Sequence, residues 1–305
     1  MALNNSLTGA RKVDNRMLLV QVLVGIFLCI NIFLIATFFT KDLFYTTMRY
    51  ILFAVTLLSD CLVLFITNIM VILSYFNVSI HMCLCLILYI VMSLYTFVTP
   101  FTLTAMTLER YVAICMPLRH AELCTTRGSL HLILIIHSIS SVPCILTLSI
   151  FFATAGHMLY TQDRVCSVEM FLLYSWQGHL RSAVCQLFFL VMSIIIVFSY
   201  VEIMKVAKAA SGEDKKSTWK GLRTVIIHAF QLLLCLIQLW CPFIETAMLK
   251  IDFMLYNHVR YINYIIFILT PRCLSPLIYG LRDELFFQSL KNYALRGLYN
   301  KHFSN

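Results

Sequence analysis

Apolar residues follow one another in seven long runs, separated by short polar stretches that hold most of the charged residues. A run of about 20 apolar residues crosses the roughly 30 Å hydrocarbon core of a bilayer as a helix. The pattern therefore predicts an all-α membrane protein, a bundle of seven transmembrane helices in one domain. The predicted spans are residues 17–40, 48–75, 82–115, 129–155, 178–207, 222–249 and 259–281.

The end of the third run and the tail of the chain carry further information. The third run exceeds one hydrocarbon thickness, which predicts a tilted helix that continues into the cytoplasm and ends near Pro117. In the tail, apolar residues recur at helical spacing beside Lys291 and Arg296, which predicts an amphipathic helix on the inner leaflet. We expect three parts: an extracellular N-terminus (1–16), the membrane domain (17–281) and a cytoplasmic helix and tail (282–305).

Composition supports this interpretation and excludes other classes of protein. Of the 305 residues, 61% are hydrophobic and 12% charged, whereas a soluble domain has about 25% charged residues. In so apolar a chain the net charge of +9 indicates cytoplasmic loops rather than a nucleic-acid partner. The twelve cysteines show no spacing typical of a metal site. No serine, histidine and acid set converges on a catalytic site, so we expect no enzyme.

Lysine and arginine are divided unevenly between the two sets of loops, and this asymmetry predicts the orientation. One set, with the tail, is rich in basic residues, whereas the other holds only Arg164, Lys250 and Arg260 beside three basic residues at the N-terminus. The richer set is cytoplasmic, so the N-terminus faces outside and the C-terminus the cytoplasm. Asn4 and Asn77 stand in sequons on the outer side and are candidate glycosylation sites, although Asn77 could equally be an ordinary polar loop residue.

The inner end of the third run reads M-T-L-E-R-Y-V-A-I-C, from Met106 to Cys115. An acid and base pair at a helix end can be simple interfacial snorkelling. The stretch resembles the motif of rhodopsin-like G-protein-coupled receptors, and its V-A-I-C continuation resembles the vertebrate odorant receptors, while T-M-R-Y-I-L looks like the fish receptors. The resemblance implies a switch in which Glu109 neutralises Arg110 at rest, and Arg110, beside Tyr111, meets the G protein once the bundle opens.

Two other regions near the inner membrane face resemble activation elements of this family. K-G-L-R-T-V-I-I-H, at the start of the sixth run, places Lys220, Thr224 and His228 four residues apart on one helical face. Tyr200, at the end of the fifth run, resembles the activation tyrosine of the family, and we expect a polar network between it and His228.

The seventh run ends in S-P-L-I-Y, which is similar to the N-P-x-x-Y element of rhodopsin-like receptors, with Ser275 in place of the usual Asn. A proline within a spanning helix frees a carbonyl group and permits a hinge. Pro276 and Tyr279 are therefore candidate switch residues.

Asp60 lies inside the second run, where a carboxylate is costly and indicates a functional site. The resemblance implies a central polar site of Asp60 with Asn31, Thr99 and Ser275 that could hold a sodium ion. The alternative is a polar cluster without an ion, in which Arg272 neutralises Asp60. No other cofactor is expected.

The resemblance also implies a disulfide between Cys85, near the outer start of the third run, and Cys166, in the loop before the fifth. Both cysteines face the oxidising side of the membrane. Cys83 is a competing partner, but two positions along a helix point it to a different face.

In the family that the chain resembles, the ligand lies in the outer half of the bundle, between the third, fifth, sixth and seventh helices. Helical counting from Arg110 and Tyr200 gives these candidate contacts on the third and fifth runs: Tyr89, Met92, Ser93, Thr96, Arg181, Cys185 and Phe188. Glu245, Tyr261 and Tyr264, at the outer ends of the later runs, and Trp240, in the L-W-C-P-F stretch, are further candidates. Arg181 and Glu245 either pair with each other or one of them awaits a charged ligand. Trp240 is either the toggle residue of the family or a pocket residue, because counting from His228 puts Leu236 at the toggle level.

The function implied by the resemblance is that of an odorant receptor in the plasma membrane of olfactory cilia. It would bind a small, water-soluble odorant and activate a stimulatory olfactory-type G protein, which raises cyclic AMP. A receptor for a peptide or transmitter is the alternative within the superfamily, and the short extracellular loops disfavour it. A transporter or channel is the alternative from another class, but the chain shows no repeated halves.

Overall fold

The computed structural model describes residues 15–154, 164–166, 168–171, 174–210, 230–231, 233–235, 237–238, 240–249, 251–274 and 285–293. Within them we number these α-helices in chain order: α1 (Asn15–Phe38), α2 (Asp42–Thr46), α3 (Met48–Tyr75), α4 (Met82–Cys115), α5 (Pro117–Leu123), α6 (Thr126–Thr154), α7 (Ser175–Ala210), α8 (Cys241–Leu249) and α9 (Phe253–Asn263). Helix α9 continues as a π-helical stretch, Tyr264–Leu269, and residues 285–293 are helical again.

Five of these helices, α1, α3, α4, α6 and α7, are long and apolar enough to cross a membrane. The second and third predicted spans, 48–75 and 82–115, have the bounds of α3 and α4. The described parts of the sixth and seventh spans are also helical, apart from the turn at Trp240. The predicted fold class, an all-α membrane bundle, is confirmed.

Helix α3 is the most buried span, with 61% of its apolar window buried, against 22% in α1 and in α7. It packs along α1 and α4, and α4 in turn packs against α6 and α7. The buried positions of α3 recur every three or four residues, as expected for a helix that faces the core with one stripe. They include Leu52, Thr56, Asp60, Val63 and Thr67.

The two ends of the bundle are closed by different local structures. At the end predicted to be extracellular, called the outer end, strand β1 (Ser79–Ile80) pairs antiparallel with strand β2 (Arg164–Val165), which is followed after two residues by a short 3-10 helix, Val168–Phe171. At the opposite end, called the inner end, Phe286 of the tail helix is 1% exposed and contacts the rings of Phe44, Tyr50 and Phe53. The tail helix is therefore anchored on the bundle chiefly by Phe286, with Tyr293 against Phe33 of α1 at its end, while Phe287 is 41% exposed.

Candidate functional site

The inner end of α4 places Glu109 against a histidine rather than against its neighbour Arg110. Oε1 of Glu109, which is 8% exposed, lies 3.3 Å from Nε2 of His120 in α5. Consecutive residues of a helix point to different faces, so Glu109 reaches across the Pro117 turn more easily than along its own helix. Arg110 is half-buried at the same level. His120 was missed by the sequence analysis because its role depends on the direction in which α5 leaves α4.

Helix α7 completes the described part of the inner end. The ring of Tyr111 on α4 lies 5.8 Å from that of Phe198 on α7. Tyr200 packs partly buried against Met192 and Ile196 of its own helix. The remaining predicted switch residues lie outside the described residues: Lys220, Thr224, His228, Pro276 and Tyr279. The same holds for Ser275, predicted in the polar core, and for the sequon at Asn4.

Halfway through the bundle, Asp60 and Arg272 form a buried ion pair. Nε of Arg272 lies 3.9 Å from Oδ1 of Asp60, and their side chains are 3% and 0% exposed. The hydroxyl of Thr99 donates to the same carboxylate oxygen at 3.0 Å. Asn31, also fully buried, donates to the carbonyl of Phe27 in its own helix at 3.0 Å.

This ion pair decides how well the polar core suits a sodium ion. A sodium site needs oxygen ligands with a net negative charge, because a buried cation must be compensated. Here the charge of Asp60 is already balanced by the guanidinium of Arg272. A second cation at the carboxylate would leave a net positive charge in the core, and like charges at such distances repel strongly. The described residues therefore do not fit sodium.

At the outer end, Cys85 and Cys166 form a disulfide with a Cα–Cα distance of 5.5 Å, as the family resemblance implies. Cys83 is exposed and carries a free thiol. The bond fixes the segment after β2 over the start of α4. Phe171, at the end of that segment, stacks on Tyr89 with ring centroids 4.4 Å apart.

Three predicted ligand contacts on α4 and α7 are buried, and Tyr89 among them packs in a cluster with Cys144 and Phe151 of α6. Ser93 and Cys185 are 8% and 6% exposed, and Tyr89 is 1% exposed. Phe188 packs edge-on against Phe97 and Phe101 of α4.

The other predicted contacts of these helices are half-buried. Met92 and Thr96 on α4 belong to this group, and the hydroxyl of Thr96 donates to the carbonyl of Met92 at 2.7 Å. Arg181 on α7 is also half-buried.

The candidates on the later helices are placed differently from the prediction. Trp240 is 49% exposed, so it has no buried position between the helices. Tyr264 is buried against Val24 of α1 and Leu64 of α3, with Tyr261 at the edge of the same cluster. Both tyrosines therefore pack away from the α4 and α7 contact.

Glu245 on α8 does not pair with Arg181. Its Oε1 accepts a hydrogen bond of 3.0 Å from Nδ2 of Asn263 on α9. The sequence left two possibilities, that Arg181 and Glu245 pair with each other or that one of them awaits a charged ligand. The first possibility, mutual pairing, is therefore contradicted. Among the described residues, no group of three or more histidine, cysteine or acidic side chains could hold a metal ion.

Comparison with known proteins identifies relatives over most of the chain. Residues 30–279 match the model of the 7 transmembrane receptor (rhodopsin family). The chain is 42% identical to Odorant receptor 131-2 of Danio rerio over 290 residues, which cover 95% of this chain and 89% of that protein. It is 27% identical to Galanin receptor 2a of Danio rerio over 68% of this chain and 57% of that protein. It is 28% identical to Olfactory receptor 52A5 of Homo sapiens over 60% of this chain and 58% of that protein.

Proposed function

We propose that this chain, which belongs to the rhodopsin family of seven-transmembrane receptors, detects a small, water-soluble odorant. Within that family it belongs to the fish-like odorant receptors. Binding in the outer half of the bundle activates a stimulatory olfactory-type G protein, which raises cyclic AMP. The observation that carries this proposal is the 42% identity to Odorant receptor 131-2 across nearly the whole of both chains.

The outer ends of α4, α6 and α7 supply a suitable place for the ligand. Small-molecule sites are concave and mostly apolar, with a few polar groups that orient the ligand. Tyr89, Ser93 and Cys185 are buried at this level, and Arg181, one turn before Cys185, is half-buried. The disulfide-bonded segment that ends at Phe171 covers the site from outside.

The inner ends of α4, α5 and α7 supply a place for the G protein. The contact between Glu109 and His120 connects the end of α4 to α5. Movement of α7, which touches α4 through Tyr111 and Phe198, would disturb this region and expose Arg110. Arg110 presents five donors in a planar fork, which suits recognition of backbone carbonyls or acidic groups on a partner.

The N-terminus is extracellular and the C-terminus cytoplasmic in this proposal, with the receptor in the ciliary plasma membrane of olfactory neurons. The disulfide of Cys85 supports it, since disulfides persist on the oxidising side of the membrane. Asn77 supports it as well, because it is exposed in the turn after α3 at the same end of the bundle. Its φ of 51° is a conformation that asparagine tolerates.

The test is a cyclic AMP assay in cells that express the full chain with a stimulatory olfactory-type G protein. A panel of water-soluble odorants should give a concentration-dependent rise in cyclic AMP. Arg110→Ala should reach the cell surface at the same level and give no response. Silence of the wild-type receptor across the panel at confirmed surface expression contradicts the proposal.

A peptide receptor is the second candidate, and the similarity to Galanin receptor 2a favours it. That similarity is lower and covers less of the chain than the similarity to the odorant receptor. A neuropeptide panel in the same assay separates the two candidates, because a response to peptides with none to odorants would establish the second.

A further inference from the structure

Arg181 lies on the face of α7 that is turned towards the bundle. Gln177 and Cys185, one turn before and one turn after it, are 3% and 6% exposed. Residues four apart share one face of a helix, so the half-buried Arg181 continues the inward stripe that they form. Its long side chain thus begins between α7 and the two helices on which α7 packs, α4 and α6.

The thiol of Cys144 on α6 lies between Arg181 and the inward face of α4. The guanidinium is near enough to the thiols of Cys144 and of Cys185 on α7 to act on both electrostatically. Cys144 belongs to the buried cluster that also contains Tyr89 of α4. Arg181 therefore lies close to the place where α4 and α6 pack together.

Within the part of the chain that the structure describes, no carboxylate lies within ion-pair distance of Arg181. The acidic side chains of the bundle have other partners: Asp60 pairs with Arg272, Glu109 with His120, and Glu245 with Asn263. A charge at membrane depth is costly unless it is compensated. The positive charge of Arg181 is thus left for a group that the described residues do not supply.

A second unsatisfied group lies on the same side of α4. The hydroxyl of Tyr89 is buried and has no hydrogen-bond partner among the described residues. Buried hydroxyls normally have a partner, so this one points to an acceptor that the described residues do not supply. Tyr89 is one turn from Ser93 on α4, and Phe171 holds its ring in place.

We propose that Arg181, with Tyr89 and Ser93, binds the carboxylate of a small organic acid, so that the natural ligand of this receptor is an anion. The guanidinium forms paired hydrogen bonds with a carboxylate better than with any neutral group, and the two hydroxyls donate to its remaining lone pairs. This inference rests on the proposed function, because it specifies the ligand of the same outer site.

The experiment compares matched neutral and charged ligands on the full-length receptor. Linear carboxylic acids of three to ten carbons, their methyl esters, the corresponding alcohols and the corresponding amines are tested for cyclic AMP responses. The purified receptor, in nanodiscs of phosphatidylcholine alone and of phosphatidylcholine with phosphatidylglycerol, is tested with the same compounds for a shift in Tm. The variants are Arg181→Gln, Arg181→Lys and, as a matched control, Arg260→Gln, since Arg260 is an exposed arginine in the last turn of α9.

We expect carboxylates, and not their esters, to activate and stabilise the wild-type receptor. The potency of the carboxylates should fall at least about tenfold in Arg181→Gln, be partly kept in Arg181→Lys and stay unchanged in Arg260→Gln. Equal potency of acids and esters, or a response to alcohols or amines alone, overturns the anion site while the proposed function stands. Stabilisation by phosphatidylglycerol without any by soluble acids overturns it in favour of a lipid headgroup. Silence towards every compound in both assays overturns both proposals.

A second inference comes from the polar core, which is separate from the outer site. We infer that Arg272 acts as a built-in cation in the place where the family resemblance implies sodium, so that this receptor is insensitive to sodium ions. Its guanidinium balances the charge of Asp60 and also donates to Gln238 at 3.5 Å and to the carbonyl of Ile268. The position of a covalently attached cation does not depend on the ion concentration outside the cell.

The test measures Tm of the purified full-length receptor in equal concentrations of sodium, potassium and N-methylglucamine chlorides. The wild-type protein should have the same Tm in all three salts, whereas Arg272→Gln should gain a saturable stabilisation by sodium alone. Saturable stabilisation of the wild-type protein by sodium overturns the inference, and this comparison decides it even if the variant does not fold.

Discussion

Arg272 and Asp60 are 212 positions apart in sequence, yet they meet in the middle of the bundle with both side chains almost fully buried. Ions in such a place have lost their hydration, and the mutual attraction must compensate for that loss. The pair thereby fixes the position of the seventh apolar segment relative to α3, and removal of either charge leaves the other uncompensated.

We expect Arg272→Met and Asp60→Asn each to destabilise the receptor by about 3–5 kcal/mol, because each leaves one buried charge. The double variant should be more stable than either single variant, since it removes both charges together. Thermal unfolding of the purified proteins in sodium-free buffer gives the four values of the cycle. Additive losses would show that the two side chains act independently.

Disruption of the Glu109 and His120 contact should raise basal signalling. Because the His120 side chain is 38% exposed, we expect the contact to contribute less than about 1 kcal/mol, which corresponds to a two- to fivefold change in the active population. Glu109→Gln and His120→Ala should therefore increase basal cyclic AMP about two- to fivefold at equal surface expression. His131→Ala, at an exposed histidine of α6, is the control, and equal basal activity in all variants would argue against a resting restraint.

The tail helix should depend on Phe286 far more than on its neighbour. Phe286→Ala removes a buried ring that contacts three other aromatic side chains and should cost about 3 kcal/mol or more. Phe287→Ala, at a position 41% exposed, should change stability by less than about 0.5 kcal/mol. Tm of the two purified variants measures the difference, and similar losses would place the helix on the membrane rather than on the bundle.

Thiol labelling tests the orientation of the chain. A membrane-impermeant maleimide should label the exposed Cys83 in intact cells, and Cys124, which follows α5, only after permeabilisation. Burial, and then the charge of Glu109, raise the pKa of the Cys124 thiol. Less of it is thiolate at neutral pH, so its labelling rate should increase about tenfold per pH unit as the buffer becomes more alkaline. Cys83→Ser and Cys124→Ser give the background, and labelling of Cys124 in intact cells would reverse the orientation.

The spans and the disulfide were predictable from the sequence because their signals are local or shared with a family. Apolar runs have the length of the helices that they form, and α3 and α4 begin and end as expected. Directions in space were less predictable. Tyr264 was predicted to line the outer site, but the packed bundle shows that it meets α1 and α3.

Contacts between distant parts of the chain were the hardest to predict. Nothing in the local pattern around His120 indicates that it reaches Glu109. Phe286 and Phe287 are the same residue type, yet the first is buried and the second is exposed. For Asp60 the sequence left sodium and Arg272 as alternatives, since residue spacing carries no information on which helix faces meet.

Helix α4 carries the disulfide near its first turn and Glu109 in its last turns, so one helix about 36 Å long, with Pro100 inside it, joins the two ends of the molecule between these points. The bridge to Cys166 fixes the outer end like a pivot. A small tilt about that pivot would be largest at the far end, beside α5 and α7. The length of this single helix would thus act as a lever, since a slight tilt around Tyr89 gives a larger displacement at the end that carries Glu109.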